Sequence, residues 1–383
     1  MAKLFQTAEL YHGLGSLSEL KNITGKKAMI VTGGQSVKAN GTLAKVEAML
    51  KEINIETAVF SGVEPDPSIE TVRKGAAAFT EFGPDWIIGL GGCSAIDAGK
   101  AMWAIYEHPD LSFEQMIKIA GVPPLRNKAK FIAIPATSGT GTEITALAVI
   151  TDKVKGVKYP IVSYEFLPDI SIVDGELCKS MPKHVTANTG LDALTHSVEA
   201  YVSNIDDNYA DAFAKGGIEL VFNNVEKAFA NPDCGEARQN MHDASCLGGY
   251  AFTNAWLGIA HSLAHQIGGV FGVPHGCANA IVLPNVVRFN AKATERYNDL
   301  AKLVGKETAE EFAVEIEALR SRLEVPSSVK HYGVSQEDWN SHVKEMAQHA
   351  MADACTGFNP RKPTLEEMEQ MLNACYYGEK VNF

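Results

Sequence analysis

Short apolar runs alternate with longer amphipathic stretches in the first half of the chain. Aliphatic and β-branched residues dominate five runs that we predict as strands, at residues 28–32, 57–60, 86–90, 131–134 and 170–173. Between them, apolar residues recur near the helical period over residues 43–53, 69–82 and 96–107. Such alternation of short strands and helices predicts an α/β layer built on a mainly parallel sheet.

The pattern changes at about residue 186, where helical periodicity continues and strand signals end. Met181-Pro182-Lys183 marks the expected transition, because a proline disfavours helix for the residue before it. A chain of 383 residues is also long for a single core. We therefore predict two domains, an α/β domain over residues 1–185 and an all-helical domain over residues 186–383.

Composition and charge narrow the classes of partner. The formal net charge of −12 and the pI near 5.4 argue against nucleic acid or an anionic membrane as the main partner. Seven cysteines are scattered along the chain without a CxxC pair, as expected for reduced thiols. We expect a cytoplasmic protein that binds a small molecule.

Residues 244–287 contain no Asp, Glu, Lys or Arg. The segment is long enough to span a bilayer, but glycines, Pro274 and three histidines interrupt it, so a membrane helix is not predicted. His261 and His265 are four residues apart and would share one helix face, and His275 follows a Gly-rich bend. Buried imidazoles without a hydrogen-bond partner or a ligand cost stability, so each of these histidines is expected to have a binding partner.

A second helical pair supplies a carboxylate. Asp192 and His196 are also four residues apart, which gives five candidate ligands for about four positions around a divalent metal ion. Spacing alone leaves open whether both His261 and His265 are ligands. A donor set of Asp and His without thiolate suits Fe(II), Zn(II) or another first-row divalent ion.

Three Gly-rich turns follow predicted strands, at residues 31–38, 89–100 and 135–143. Glycines let the backbone approach a phosphate group closely, and the helix that follows offers free N–H groups. None of the turns is the GxGxxG fingerprint of an ordinary dinucleotide fold. Open α/β sheets bind ligands at the carboxyl ends of their strands, so the three turns together predict a nucleotide site.

Taken together, these motifs resemble those of the iron-containing, group III alcohol dehydrogenases, and most of all the butanol-type enzymes and the alcohol dehydrogenase part of bifunctional aldehyde–alcohol dehydrogenases. The resemblance rests on the Gly-rich turns at residues 91–100 and 135–143. It rests also on Asp192–His196, His261–His265, Pro274-His275-Gly276, Glu64-Pro65-Asp66-Pro67, Ala352-Asp353-Ala354-Cys355-Thr356-Gly357 and Asn359-Pro360-Arg361. It implies a dinucleotide-binding α/β domain followed by an all-α metal-binding domain, as in dehydroquinate synthase-like proteins. It also implies a homodimer or higher homo-oligomer.

The resemblance assigns a role to each candidate residue. It makes Asp192, His196, His261 and His275 the metal ligands and leaves His265 beside the metal ion in proton relay. It implies cofactor contacts by residues of the Gly-rich turns and one lysine: Gly33, Gly34, Ser36, Lys38, Gly91, Gly92, Ser94, Asp97, Thr137, Ser138, Thr140, Thr142 and Lys158. One departure is Cys93, which stands where the family's turn usually has a third glycine.

Cofactor preference depends on Gly33. Family members that prefer NAD often carry Asp near this point, where its charge would repel a 2′-phosphate. Here Gly33 offers no repulsion, while Ser36 and Lys38 add a hydroxyl group and a cation. We therefore expect NADP(H) ahead of NAD(H), and iron as the metal, with zinc possible.

The activity that the resemblance implies is metal-dependent, NAD(P)-linked interconversion of a short-chain primary alcohol and its aldehyde. A zinc-dependent polyol dehydrogenase, of the glycerol or propanediol type, is the main alternative. A dehydroquinate-synthase-like lyase would need basic residues for its substrate, and residues 244–287 offer none. A non-catalytic nucleotide- or metal-binding module is the remaining alternative.

Overall fold

The structure is a computed structural model that describes residues 3–118 and 120–383. The chain divides into two compact units, the first formed by Met1–Thr137 and Gly141–Ser180 and the second by Ser138–Thr140 and Met181–Phe383. The predicted boundary between residues 185 and 186 lies inside a helix that begins at Lys183. Residues 1, 2 and 119 of the predicted first domain lie outside the described residues.

The first unit is built on a six-stranded sheet with the strand order β1-β8-β5-β4-β2-β3, in which every neighbouring pair is parallel. Strands β6 and β7 form a separate antiparallel hairpin. The strands are β1 (Glu9–His12), β2 (Lys27–Thr32), β3 (Glu56–Phe60), β4 (Trp86–Gly91), β5 (Lys130–Pro135), β6 (Leu147–Asp152), β7 (Val157–Val162) and β8 (Ile170–Val173). The five predicted strands are confirmed to within one residue at each end, whereas β1, β6 and β7 were not predicted.

The helices of the first unit are α1 (Ser36–Ala39), α2 (Thr42–Glu52), α3 (Ile69–Phe82), α4 (Cys93–Glu107) and α5 (Phe113–Met116). Helix α3 begins where the Ser68 hydroxyl accepts a hydrogen bond from Thr71 N and ends at Gly83, which has a φ of 69°. Helix α4 packs closely on β4: a Cβ at Gly89 would lie only 3.0 Å from the Cα of Ile96, so glycine is what allows the close approach. This close packing fixes the Gly-rich turn between them.

The second unit is helical, and its described residues include no strand. Its helices are α6 (Lys183–Val202), α7 (Asn208–Ala230), α8 (Gly235–Ala255), α9 (Ile259–Phe271), α10 (His275–Asn290), α11 (Arg296–Leu303), α12 (Ala309–Arg322), α13 (Val329–Tyr332), α14 (Gln336–Ala352) and α15 (Leu365–Tyr377). Helix α6 packs against α7, α8 and α10, and α9 packs against α10 and α14. The predicted architecture, an α/β part followed by an all-helical part, is confirmed.

The uncharged residues 244–287 form the end of α8, all of α9 and most of α10. Most of their apolar side chains belong to the main hydrophobic cluster of the second unit. None of the described helices combines the length and apolar character that a bilayer span requires. The segment is therefore a core element of the helical unit, which places its three histidines among packed helices.

Candidate metal centre and Gly-rich turns

Four predicted ligands converge in the second unit. Asp192 and His196 lie one turn apart on α6, His261 lies in the first turn of α9, and His275 begins α10. One ligand atom from each lies within 4.8 Å of the others. The Nε2 atoms of His275 and His196 are 3.5 and 4.0 Å from Asp192 Oδ1. Two atoms bound to one ion at about 2.1 Å can be at most about 4.2 Å apart, so small shifts inward would bring one carboxylate and three imidazoles around a single ion.

Asn279, one turn into α10, tests whether these residues fit a cation. Its Nδ2 atom lies 2.8 Å from Asp192 Oδ1 and 3.2 Å from the Nε2 atoms of both His261 and His275. An amide has only two N–H groups, so it cannot serve three acceptors at once. Its Oδ1 atom is buried and has no hydrogen-bond partner among the described residues. Three acceptor atoms, from Asp192, His261 and His275, thus point at one amide nitrogen with two hydrogens. This convergence of lone pairs fits a bound cation.

Hydrogen bonds on the outer side of two imidazoles fix their tautomers. His196 Nδ1 donates to the carbonyl oxygen of Gly139 over 3.2 Å, and a carbonyl can only accept. A Cβ at Gly139 would lie 2.6 Å from Thr189 Cβ, so only glycine allows this backbone to approach α6 so closely. His196 Nε2 is thereby left with its lone pair, as metal coordination requires.

Glu199 holds His261, and sequence analysis missed this residue. One carboxylate oxygen accepts from Ala260 N at 2.6 Å, and the other lies 2.6 Å from His261 Nδ1. The side chain thus bonds the free N–H groups at the start of α9 and orients the ring. Glu199 lies three residues after His196 and seven after Asp192, on the same helix face, so helical periodicity offered a signal for it.

Burial and neighbouring charge set the ionisation of this cluster. Burial raises the pKa of Glu199 to about 7, although the N–H groups that it accepts favour its charged form. Burial and the adjacent imidazoles hold the pKa of His261 well below its ordinary value, which keeps the ring neutral. Burial would raise the pKa of Asp192, but the three imidazoles outweigh it and lower that pKa. An ionised Asp192 and a neutral His261 are the forms of these two groups that bind a metal ion.

His265 lies outside the set of four, on its exposed side. Its ring stacks on that of His275, with the centroids 5.5 Å apart, and its Nδ1 is 2.8 Å from Asp353 Oδ2. The side chains of His265 and His275 are 41% and 40% exposed, whereas Asp192, His196 and His261 are at most 5% exposed. Solvent therefore reaches the centre on the side of these two rings.

Several of the predicted cofactor residues meet at the carboxyl ends of β2, β4 and β5. Gly91 has a φ of 139°, which favours glycine, and a Cβ there would lie 4.0 Å from Gly33 N. A Cβ at Gly92 would lie 3.7 Å from Thr137 Cγ2. Ser94 lies in the first turn of α4. Strands β2, β4 and β5 are neighbours in the sheet, so the Gly-rich turns that follow them lie side by side, as expected for a ligand-binding edge.

Other predicted cofactor residues are exposed, ion-paired or part of the second unit. Gly34, Ser36 and Lys38 are exposed after β2. Lys158, on β7, forms an ion pair with Asp66 at 2.7 Å. Ser138 and Thr140 belong to the second unit, where the Ser138 hydroxyl lies 3.0 Å from Nδ1 of the buried His242.

Asp97 and Thr142 form part of a buried network inside the first unit. The Thr142 hydroxyl donates to Asp97 Oδ1 over 2.5 Å, and Val149 N donates to Asp97 Oδ2 over 2.9 Å. Lys100 Nζ donates to the Thr142 carbonyl oxygen over 2.6 Å. These contacts tie α4 to the chain that follows β5, so both side chains support the Gly-rich turns from within.

Sequence comparisons agree with the geometry. The sequence profile described as iron-containing alcohol dehydrogenase matches residues 7–175, and that described as the C-terminal part of the Fe-containing alcohol dehydrogenase family matches residues 186–376. The NADPH-dependent butanol dehydrogenase of Clostridium saccharobutylicum is 47% identical over 382 residues, 98% of each chain. The bifunctional aldehyde-alcohol dehydrogenase of Escherichia coli is 39% identical over 92% of this chain but only 43% of its own length.

Solved structures of alcohol dehydrogenases have the same fold as this chain. The iron-containing alcohol dehydrogenase from Thermococcus thioreducens superposes with a TM-score of 0.92 at 34% identity, covering 99% of this chain and all of that one. The alcohol dehydrogenase from Oenococcus oeni superposes with a TM-score of 0.93 at 32% identity over 98% of this chain. Motifs, converging ligands, full-length relatives and fold therefore agree that the chain belongs to the iron-containing alcohol dehydrogenase family and is an oxidoreductase.

Proposed function

We propose that this enzyme reversibly reduces short-chain aldehydes to primary alcohols, with Fe(II) held by Asp192, His196, His261 and His275 and with NADP(H) as the preferred cofactor. The observation that carries the proposal is the convergence of four ligand atoms within 4.8 Å of one another. The relative that acts on butanol supports the substrate class, and its dependence on NADPH supports the cofactor. Because the same donors accept Zn(II), metal analysis belongs to the test.

The residues around the centre have distinct tasks in this proposal. A bound divalent cation supplies Lewis-acid polarisation of the substrate oxygen, and a bound nicotinamide supplies the hydride acceptor. Glu199 and the Gly139 carbonyl keep two imidazoles oriented inward, and the surrounding helices exclude water from the buried side. His265, on the exposed side, takes the hydroxyl proton in alcohol oxidation.

Phe252 supports a simple alcohol rather than a polyol. Its ring lies on α8 with the centroid 4.7 Å from that of His196, so it presents an apolar surface beside the metal centre. Residues 244–287, which include Phe252, offer no charged group. An alkyl chain gains about 0.8 kcal/mol per buried methylene group against such a surface, whereas a second hydroxyl group would lose its hydrogen bonds to water.

Two measurements on anaerobically purified protein test the function. One is metal analysis, and the other is the rate of reduction of an aldehyde series from acetaldehyde to octanal. We expect bound iron and NADPH-linked reduction that rises with chain length to about the four-carbon aldehyde. Glycerol and propanediols, assayed as oxidation substrates, should be poorer than butanol. Lack of NAD(P)-linked turnover across the panel by metal-loaded protein would refute the proposal.

Replacing Gly33 by Asp should weaken the use of NADPH. Gly33 follows β2, and a Cβ there would meet only the Val63 carbonyl oxygen, at 3.4 Å, so a side chain fits with a small adjustment. A carboxylate near a 2′-phosphate should cost about 2 kcal/mol, or about thirtyfold in kcat/KM for NADPH, with little change for NADH. Steady-state kinetics with both cofactors measures this.

Gly33→Asn is the matched control, because it adds a side chain of the same size without charge. It should retain the preference for NADPH. A wild-type enzyme that prefers NADH, or an equal effect of the Asn and Asp substitutions, would contradict the assignment of Gly33 to the 2′-phosphate.

Two further expectations from the sequence stay proposals. The scattered cysteines support a reducing, cytoplasmic location, and symmetric dimers are the commonest homo-oligomers in general. Cell fractionation and sedimentation velocity are the measurements that bear on them.

A further inference from the structure

Asp353 and His265 form a hydrogen-bonded pair beside the metal centre. Asp353 directly follows α14, and its Oδ2 atom lies 2.8 Å from His265 Nδ1. Its other oxygen, Oδ1, accepts a hydrogen bond from Cys355 N over 2.9 Å, at the start of the short helix Ala354–Phe358. The two carboxylate oxygens therefore have different partners, and the backbone fixes the orientation of the group.

This arrangement selects one tautomer of His265. Burial alone would raise the pKa of Asp353, but the hydrogen bonds that it accepts from His265 and from Cys355 N outweigh burial and lower the pKa to about 2. An ionised carboxylate only accepts hydrogen bonds, so His265 Nδ1 must carry the proton. The Nε2 atom then keeps its lone pair and can accept a proton.

His265 lies where a proton can leave the centre. Its ring stacks on that of His275 and lies edge-on to that of His261, with centroids 5.5 and 6.0 Å away. The Nδ1 atoms of the buried His196 and His261 are already bonded to Gly139 O and Glu199. Among the described side chains of this cluster, His265 combines a fixed tautomer with contact to solvent.

We propose that Asp353 is a positioning residue that holds the His265 ring with its proton on Nδ1 and its lone pair on Nε2. The proposal rests on the proposed function. As the alcohol O–H bond breaks, the Nε2–H bond forms, and the electron pair of the C–H bond leaves as hydride to the oxidised nicotinamide. Asp353 neutralises the resulting imidazolium, which then gives the proton to water.

Asp353→Asn is the decisive variant, because it keeps the shape and inverts the tautomer. The Cys355 N–H would still bind the amide oxygen, so the amide nitrogen would face His265 Nδ1 and donate to it. His265 would then carry its proton on Nε2 and could not accept another. We expect kcat for alcohol oxidation to fall about a hundredfold or more, with metal content and melting temperature unchanged.

A readout independent of turnover is the ¹⁵N NMR of histidine in the zinc-loaded protein. The His265 signals, identified by their loss in His265→Gln, should show the proton on Nδ1 in the wild type and on Nε2 in Asp353→Asn. In the His265→Gln background, Asp353→Asn should cause little further loss of kcat, because its effect acts through the ring.

Glu345→Gln is the matched control. Glu345 also faces a histidine on α14, with 3.9 Å between its Oε1 and His349 Nε2, and its removal should leave kcat unchanged. An unchanged tautomer, or unchanged kcat in Asp353→Asn, would overturn the inference. Wild-type protein without NAD(P)-linked turnover would instead refute the proposed function, and the NMR result would still decide the role of Asp353.

Discussion

His261→Ala is expected to abolish stoichiometric metal binding and to lower kcat/KM by about a thousandfold. The imidazole lies in the first turn of α9 with Glu199 behind it, and its removal leaves three of the four converging ligands. Loss of the ion removes transition-state stabilisation of about 4 kcal/mol, which corresponds to that factor. Metal analysis after dialysis and steady-state kinetics measure the two effects.

Two other substitutions should affect metal binding less than His261→Ala does. Glu199→Gln keeps the side-chain shape but removes the carboxylate behind His261, so metal affinity should fall about 10- to 100-fold without complete loss. His265→Ala should keep the metal and slow turnover. If His265→Ala loses the metal while His261→Ala retains it, the assignment of the four ligands is wrong.

Gly276→Ala is expected to destabilise the helical unit by about 3 kcal/mol and to weaken metal binding. Gly276 follows His275 in α10, and a Cβ there would overlap the carbonyl oxygen of Asn188 on α6 and lie 2.6 Å from its carbonyl carbon. Because the obstacle is backbone, no side chain can move aside, and α10 must shift away from α6. The shift would separate His275 from Asp192. Thermal unfolding should show a melting temperature lower by about 6 to 12 °C.

Gly269→Ala, in α9, is the matched control. A Cβ at Gly269 would have no described atom within 4 Å. Alanine there should be neutral or stabilise the helix by up to about 1 kcal/mol. A Gly276→Ala protein that melts with the wild type and binds metal normally would show that the close approach of α6 and α10 is unnecessary.

The parallel sheet could be predicted because strands buried on both faces appear as continuous apolar runs. Strand β1 gave no such run, since it lies at the sheet edge and its end residues, Glu9 and His12, are exposed. Strand β7 contains Pro160, and its hairpin partner is only half buried, so neither matched the pattern of a central strand.

Helical spacing identified the pairs on α6 and α9 but not the contacts between helices. Glu199 shares a helix face with Asp192 and could have been predicted from periodicity alone. Asp353 lies 88 residues from His265 in the sequence, so its contact depends on the packing of α14 against α9. The role of Asn279 likewise depends on the close approach of α10 to α6, which local sequence does not encode.

The absence of charge in residues 244–287 has a consequence for the unfolded protein. Charged side chains keep unfolded chains apart, and residues 244–287 have none, so their apolar side chains stay unprotected until α8, α9 and α10 have packed. The same composition that gives the metal ion an environment free of competing charges thus makes newly synthesised chains prone to aggregate. Substitutions that loosen the helical unit will therefore reduce the yield of native enzyme as well as the activity of the molecules that fold.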